Sequence, residues 1–191
     1  MGNYLNPGSQ AFQMILESEI FVDKSGLIAV TNRYIRTMQR YMCVSRPRRF
    51  GKSTAADMLA AYYGRNEDTS VLFENLKISQ EQSHLKHLNK YDVIKINMQE
   101  FLSMSESVED MLHILQMRLI KELKSTYPEV VSSDRLIFAM QDVYAETKCQ
   151  FVILIDEWDC LFREYKQDKE AQKKYLDFLR MWPVSYTHLR A

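Results

Sequence analysis

The chain has 191 residues, enough for one domain with its own core. Hydrophobic residues make up 46% and aromatics 12%, which excludes a disordered tail, and only 5 glycines and 4 prolines exclude a collagen-like or linker-rich chain. Lys plus Arg and Asp plus Glu both total 25, but the first 54 residues hold eight basic groups against three acids, a basic front on an otherwise acidic chain.

Asn6-Pro7-Gly8-Ser9 is turn chemistry and precedes a short helix over Gln10 to Glu17. Ile20-Phe21-Val22 reads as a short strand. Lys24 to Arg40 reads as a longer helix, with Leu27, Ile28, Val30, Tyr34, Ile35 and Met38 at helical spacing. Tyr41 to Val44 is a short apolar strand that stops in a loop of Pro and Arg. Lys52 to Tyr63 is rich in helix formers and ends at Gly64, a C-cap signal. Val93 to Asn97 is a second strand. Ser105 to Tyr127 is amphipathic, with Val108, Met111, Leu112, Leu115, Leu119, Ile120 and Leu123 on one face, and Pro128 closes it. A helix over Ser133 to Lys148 follows, and then Phe151 to Ile155. That continuous apolar run suits a parallel strand covered on both faces. A last helix runs from Asp168 to Trp182. Strands separated by helices imply βαβ units, a parallel sheet and an α/β fold.

No apolar run approaches the ~18 residues a membrane helix needs, and no signal peptide opens the chain. Cys43, Cys149 and Cys160 cannot all pair and lack CxxC spacing, so reduced thiols and a cytoplasmic protein are expected.

Two motifs carry chemistry. Arg46-Pro47-Arg48-Arg49-Phe50-Gly51-Lys52-Ser53 follows a strand and opens a helix, the place of a phosphate loop. It meets the last three positions of GxxxxGK[ST], with Arg46 where the first glycine would stand. A helix N-terminus offers free N–H groups and a positive dipole end to phosphates. Gly51 permits close approach, Lys52 sets a point charge on the β- and γ-phosphates, and Ser53 can ligate Mg²⁺. Arg46, Arg48, Arg49, Phe50, Gly51, Lys52, Ser53 and Thr54 are therefore the candidate nucleotide-binding residues. A bland reading makes the arginines a solvated patch or a nucleic-acid contact and Gly-Lys-Ser a chance tripeptide. The second motif weighs against it. The apolar strand from Phe151 ends in Asp156-Glu157, where Asp156 can orient Mg²⁺ and Glu157 can polarise an attacking water as general base. Lys52 and Glu157 are the catalytic candidates, Ser53 and Asp156 the metal candidates.

On these residues, Ser45 to Ser53 (SRPRRFGKS), Phe151 to Cys160 (FVILIDEWDC), Phe21 to Ser25 (FVDKS) and His87 to Ile94 (HLNKYDVI), the chain resembles the bacterial AAA-ATPase-like family from about Asn3 to Arg180. The resemblance implies a three-layer P-loop fold with a parallel sheet and flanking helices. It implies ATP and Mg²⁺, with the loop residues and Asp156-Glu157 in the roles above, and Arg46 as a family variant of the loop. It also implies a nuclease-like domain further along the parent chain.

Other residues have plainer uses beside their chemical ones. Arg48 and Arg49 neutralise phosphate or pair with acids such as Asp159. Asp23-Lys24 reads first as a helix N-cap with a solvated lysine, and second as a lining of the base pocket. Trp158 reads as packing and Asp159 as a support to its neighbours. His84 and His87 lie three apart but lack a third metal ligand of suitable spacing. Cys43 and Cys160 read as buried thiols.

The end of the chain departs from this pattern. Val184 to Ala191 (VSYTHLRA) resembles a translated sequencing adapter, so a domain over 1–182 and a non-native tail over 183–191 are expected. In the fold implied by the resemblance, the strand between the phosphate-loop strand and the Asp-Glu strand comes later in sequence. The chain is thus expected to be C-terminally truncated, to miss later core strands and any arginines on them, and to be poorly stable and catalytically weak.

Three functions fit: a Mg²⁺-dependent ATPase that drives a conformational change in a downstream or partner domain, a regulatory switch that holds nucleotide with little hydrolysis, and a module whose basic loop meets nucleic acid.

Overall fold

Phe151-Val152-Ile153-Leu154-Ile155 offers solvent no polar side chain, and in the computed structural model of the chain all five residues are buried within a parallel sheet. The structure describes residues 2–45 and 50–181, and the backbone of 187–190.

The first third holds α1 (Gln10–Leu16), α2 (Gly26–Tyr34), β1 (Met42–Cys43) and α3 (Lys52–Tyr63). Then come α4 (Ser70–Phe73), a 3-10 turn (Lys77–Gln80), α5 (His84–His87), β2 (Asp92–Asn97) and α6 (Met98–Ser103). The remainder is α7 (Val108–Thr126), α8 (Leu136–Thr147), β3 (Phe151–Asp156), α9 (Cys160–Glu164), α10 (Lys169–Met181) and β4 (Thr187–Arg190).

The sheet order is β1-β4-β3-β2, and each neighbouring pair is parallel. Asp92 to Asn97 run beside Phe151 to Asp156 without a slip, so Asn97 and Asp156 end level at the carboxyl edge. Because strand side chains alternate, the two faces bury different residues. Ile94, Ile96, Phe151, Ile153 and Ile155 join a cluster with α6 to α10, while Val93, Val152 and Leu154 join one with α1 to α3.

The place between β1 and β3 was expected to lack its strand, and this is corrected. Thr187–Arg190 lies there, with Leu189 level with Met42 and Leu154. Backbone N–H and C=O groups on the facing edges of β1 and β3 require partners, and an extended segment supplies them whatever its side chains.

Two further expectations give way. Ile20 and Val22 are exposed at 84% and 66%, and 20–22 form no strand because, among the described residues, no neighbouring backbone pairs with them. The helix expected over 24–40 is confined to Gly26–Tyr34, since Arg36 adopts a left-handed φ of 65° that no helix continues through. The amphipathic stretch, by contrast, behaves as its spacing dictates. Ser107 caps α7 by accepting from the Asp110 N–H, and Met111, Leu115, Leu119 and Leu123 are buried along one stripe.

At the opposite, amino edge of the sheet the Asp92 side chain is fully buried and fully engaged. Arg65 donates to both its oxygens at 3.0 and 2.9 Å, and Tyr127 and Asn6 donate to the same carboxylate. A buried charge is tolerated only with such partners. No helix among the described residues is long and apolar enough to cross a membrane.

Candidate functional site

The site forms where β1 leads toward α3 and where β3 ends. Gly51 is the N-cap of α3 with φ 72° and ψ 39°, a left-handed conformation that glycine adopts without a Cβ penalty. Helical bonding starts with the Ala55 N–H on the Gly51 carbonyl at 3.0 Å, so the amides of the first turn precede the intrahelical ladder. No acidic residue stands in that turn, and the positive dipole end is left unneutralised by the helix itself. Phe50, just before the turn, is 60% exposed. Arg46, Arg48 and Arg49 lie outside the described residues.

Asp156 ends β3 at 4% exposure, and the fold brings it to Ser53. The Ser53 hydroxyl donates to Asp156 Oδ2 at 2.5 Å, and the Glu157 N–H donates to Oδ1 at 2.9 Å. Parallel β2 places Asn97 level with Asp156, where its side chain caps α6 by accepting from the Gln99 N–H at 3.0 Å. A hydroxyl and a carboxylate side by side form a pair of hard oxygen donors, which suits Mg²⁺ completed by phosphate oxygens and water. Among the described residues there is no group of three or more His, Cys, Asp or Glu that would hold a metal by protein ligands alone.

Glu157 turns away from the strand with φ 51°, a costly conformation for a residue with a side chain. Its Oε2 accepts from Arg163 Nη2 at 2.5 Å, while Arg163 Nη1 donates to Asp159 at 2.7 Å, one helical turn away. The hydrogen bond to Glu157 holds the Arg163 guanidinium still more firmly protonated. Asp159, considered above as a partner for Arg48 or Arg49, is thus engaged by Arg163. The sequence signal for Arg163 is its four-residue spacing from Asp159.

The segment of Asp23 and Lys24 is held at both ends of its contacts. Asp23 accepts from the Ser25 N–H and from the Lys77 N–H, both at 2.8 Å, and so ties its segment to the 3-10 turn. Lys24 is no freely solvated lysine, because its ammonium donates to the Phe50 carbonyl at 2.7 Å.

The remaining candidates have structural uses. Trp158 packs edge-on against Phe162, and its carbonyl accepts from the Tyr175 hydroxyl at 2.8 Å. His84 and His87 are buried; His87 Nδ1 lies 2.6 Å from the Tyr91 hydroxyl, and burial pushes its pKa down to about 4. Cys160 is buried and its thiol is pushed up to about 11 by that burial, whereas Cys43 is exposed, against expectation, at the end of the two-residue β1.

No curated protein and no solved structure matches the chain. A family described as Predicted AAA-ATPase matches over residues 7–189, a span that includes both α3 with its preceding loop and the Asp156-Glu157 strand end. With nearly the whole chain covered, the protein belongs to the AAA-ATPase-like family.

Proposed function

We propose that the chain is a three-layer P-loop ATPase domain that binds ATP with Mg²⁺, hydrolyses it, and passes the change of nucleotide state to a downstream or partner domain. The observation that carries this reading is the hydrogen bond from Ser53 to Asp156, which joins the start of α3 to the carboxyl end of β3. In open parallel sheets the ligand crevice lies outside the carboxyl ends of the strands.

In this reading the amides of the first turn of α3, with Arg46, Arg48, Arg49, Phe50 and Thr54, surround the phosphate chain. Lys52 places its charge on the β- and γ-phosphates. Mg²⁺ held through Ser53 and Asp156 would neutralise charge on the same oxygens. Glu157 orients a water and takes its proton as the water oxygen bonds the γ-phosphorus. The bond to the β,γ-bridging oxygen breaks, and ADP carries that oxygen away.

A second reading has one observation in its favour. With Arg163 on its carboxylate, Glu157 is not free to accept a proton, which suits a nucleotide-holding switch with little turnover. The two are separated by binding and turnover measured together. Lys52→Ala abolishes ATP binding in calorimetry under both. Glu157→Gln keeps ATP bound and abolishes hydrolysis in an ATPase, and changes little in a switch. If Lys52→Ala instead leaves ATP binding intact and weakens only salt-sensitive DNA binding, both fall and the basic loop is a nucleic-acid contact.

A further inference from the structure

The segment Asp23-Lys24-Ser25 is fixed on one side and reaches the phosphate loop on the other. Asp23 accepts from the Lys77 N–H at 2.8 Å, and the fully buried Ser25 accepts from the Ile78 N–H at 3.1 Å. Between these two anchors Lys24 sends its ammonium to the Phe50 carbonyl at 2.7 Å. The next residue is Gly51, and a Cβ built there would collide with that same ammonium. Lys24 and the left-handed turn of Gly51 are therefore packed together. The loop sequence makes an external hold useful: Arg46 stands where the motif has glycine, and Pro47 has no N–H with which to fasten a turn.

We propose that Lys24 is a positioning residue for the phosphate loop, its ammonium holding the Phe50 carbonyl so that Gly51 keeps the turn that presents the first amides of α3. The inference rests on the reading of that loop as a phosphate site. Lys24 acts on the backbone and not on the phosphates, so its effect is the same for every ligand that uses those amides. It also explains why a charged residue is anchored on both sides by side chains that bond the backbone of 77–78.

The test uses the full chain with Lys24→Met, Lys24→Gln and Lys24→Arg, and Lys52→Ala as reference. Hydrogen exchange of the Ala55 amide, which bonds the Gly51 carbonyl, is measured without nucleotide, and ATP, ADP and pyrophosphate affinities are measured by calorimetry. Losing a charge-assisted hydrogen bond of this kind is expected to speed exchange about tenfold and to weaken all three ligands by one common factor, also about tenfold. Lys24→Arg, which still donates, restores most of both. The exposed position of Lys24 keeps the melting temperature of Lys24→Gln close to the parent value. Unchanged exchange in Lys24→Met and Lys24→Gln overturns the proposal, and so does a loss that grows from ADP to ATP, since that marks direct contact with the γ-phosphate. If Lys52→Ala also leaves ATP affinity intact, the ATP reading fails on its own, while the exchange data still decide whether Lys24 holds the loop.

Discussion

Ser53 and Asp156 lie 103 positions apart in the chain and meet through a hydrogen bond of 2.5 Å. The hydroxyl sits in the first turn of α3 and the carboxylate at the end of β3, at 4% exposure. A buried carboxylate needs donors, and Asp156 has one on each oxygen, Ser53 and the Glu157 amide.

Ser53→Ala removes one of those donors and leaves the carboxylate half satisfied. The expected cost is about 1–3 kcal/mol, partly offset by water at the exposed Ser53 side. For a chain of this size each kcal/mol corresponds to roughly 2–4 °C in melting temperature, which scanning calorimetry resolves. ATP affinity measured with Mg²⁺ falls as well, and an unchanged Mg²⁺ dependence contradicts the role given to this hydroxyl.

Arg163→Ala releases Glu157 from its ion pair. Arg163 and Glu157 are 34% and 27% exposed, so the loss of stability stays within about 1 kcal/mol. If the pair restrains the general base, steady-state hydrolysis rises several-fold while ATP affinity is unchanged. A fall in turnover with binding intact shows instead that Arg163 serves the reaction itself.

His87 links folding to acid. Burial first, then Lys86 and Arg36, lower its pKa to about 4, against about 6.5 when unfolded. Between those values the unfolded chain binds the extra proton and the folded chain does not, so stability from this residue is full above pH ~6.5 and lost as pH falls toward 4. His87→Gln keeps a polar partner for the Tyr91 hydroxyl and does not titrate, so its stability is less dependent on pH over that window. Urea midpoints at several pH values test this, and parallel curves for the two proteins contradict it.

Thr187–Arg190 occupies an interior place in a parallel sheet with a sequence, Thr-His-Leu-Arg, unlike the apolar runs of such strands. The place of its backbone between β1 and β3 makes a prediction. Leu189→Pro takes away the N–H of a residue paired on both sides, with Met42 and with Leu154, and lowers the melting temperature by several degrees. An unchanged melting temperature contradicts the pairing of this segment between β1 and β3.

Local signals were legible wherever one segment decides its own structure. Gly51 and the Ala-rich stretch after it mark α3 at Lys52–Tyr63, and the stripe of Met111, Leu115 and Leu119 marks α7. Phe151 to Ile155 could only be a buried strand. The failures lie where other segments intervene. Ile20 to Val22 has strand composition but no partner edge among the described residues, and the helix after Lys24 ends at Tyr34, just before the left-handed Arg36 turns the chain toward β1. Short helices such as α6 and α9 carry too few residues for a periodicity to show.

The amino-acid sequence alone determined which groups stand next to one another: a lysine and a hydroxyl after a glycine, and two carboxylates behind an apolar strand, since motif and strand are each set by neighbours in the chain. Only tertiary structure decided which groups meet. Parallel pairing brought the end of β3 to the start of α3 and so Asp156 to Ser53, the 77–78 backbone anchored the segment that carries Lys24 to Phe50, and the turn at Glu157 delivered its carboxylate to Arg163. Such contacts join residues far apart in sequence or on separate elements, and their geometry follows from sheet register and packing, which no local pattern encodes.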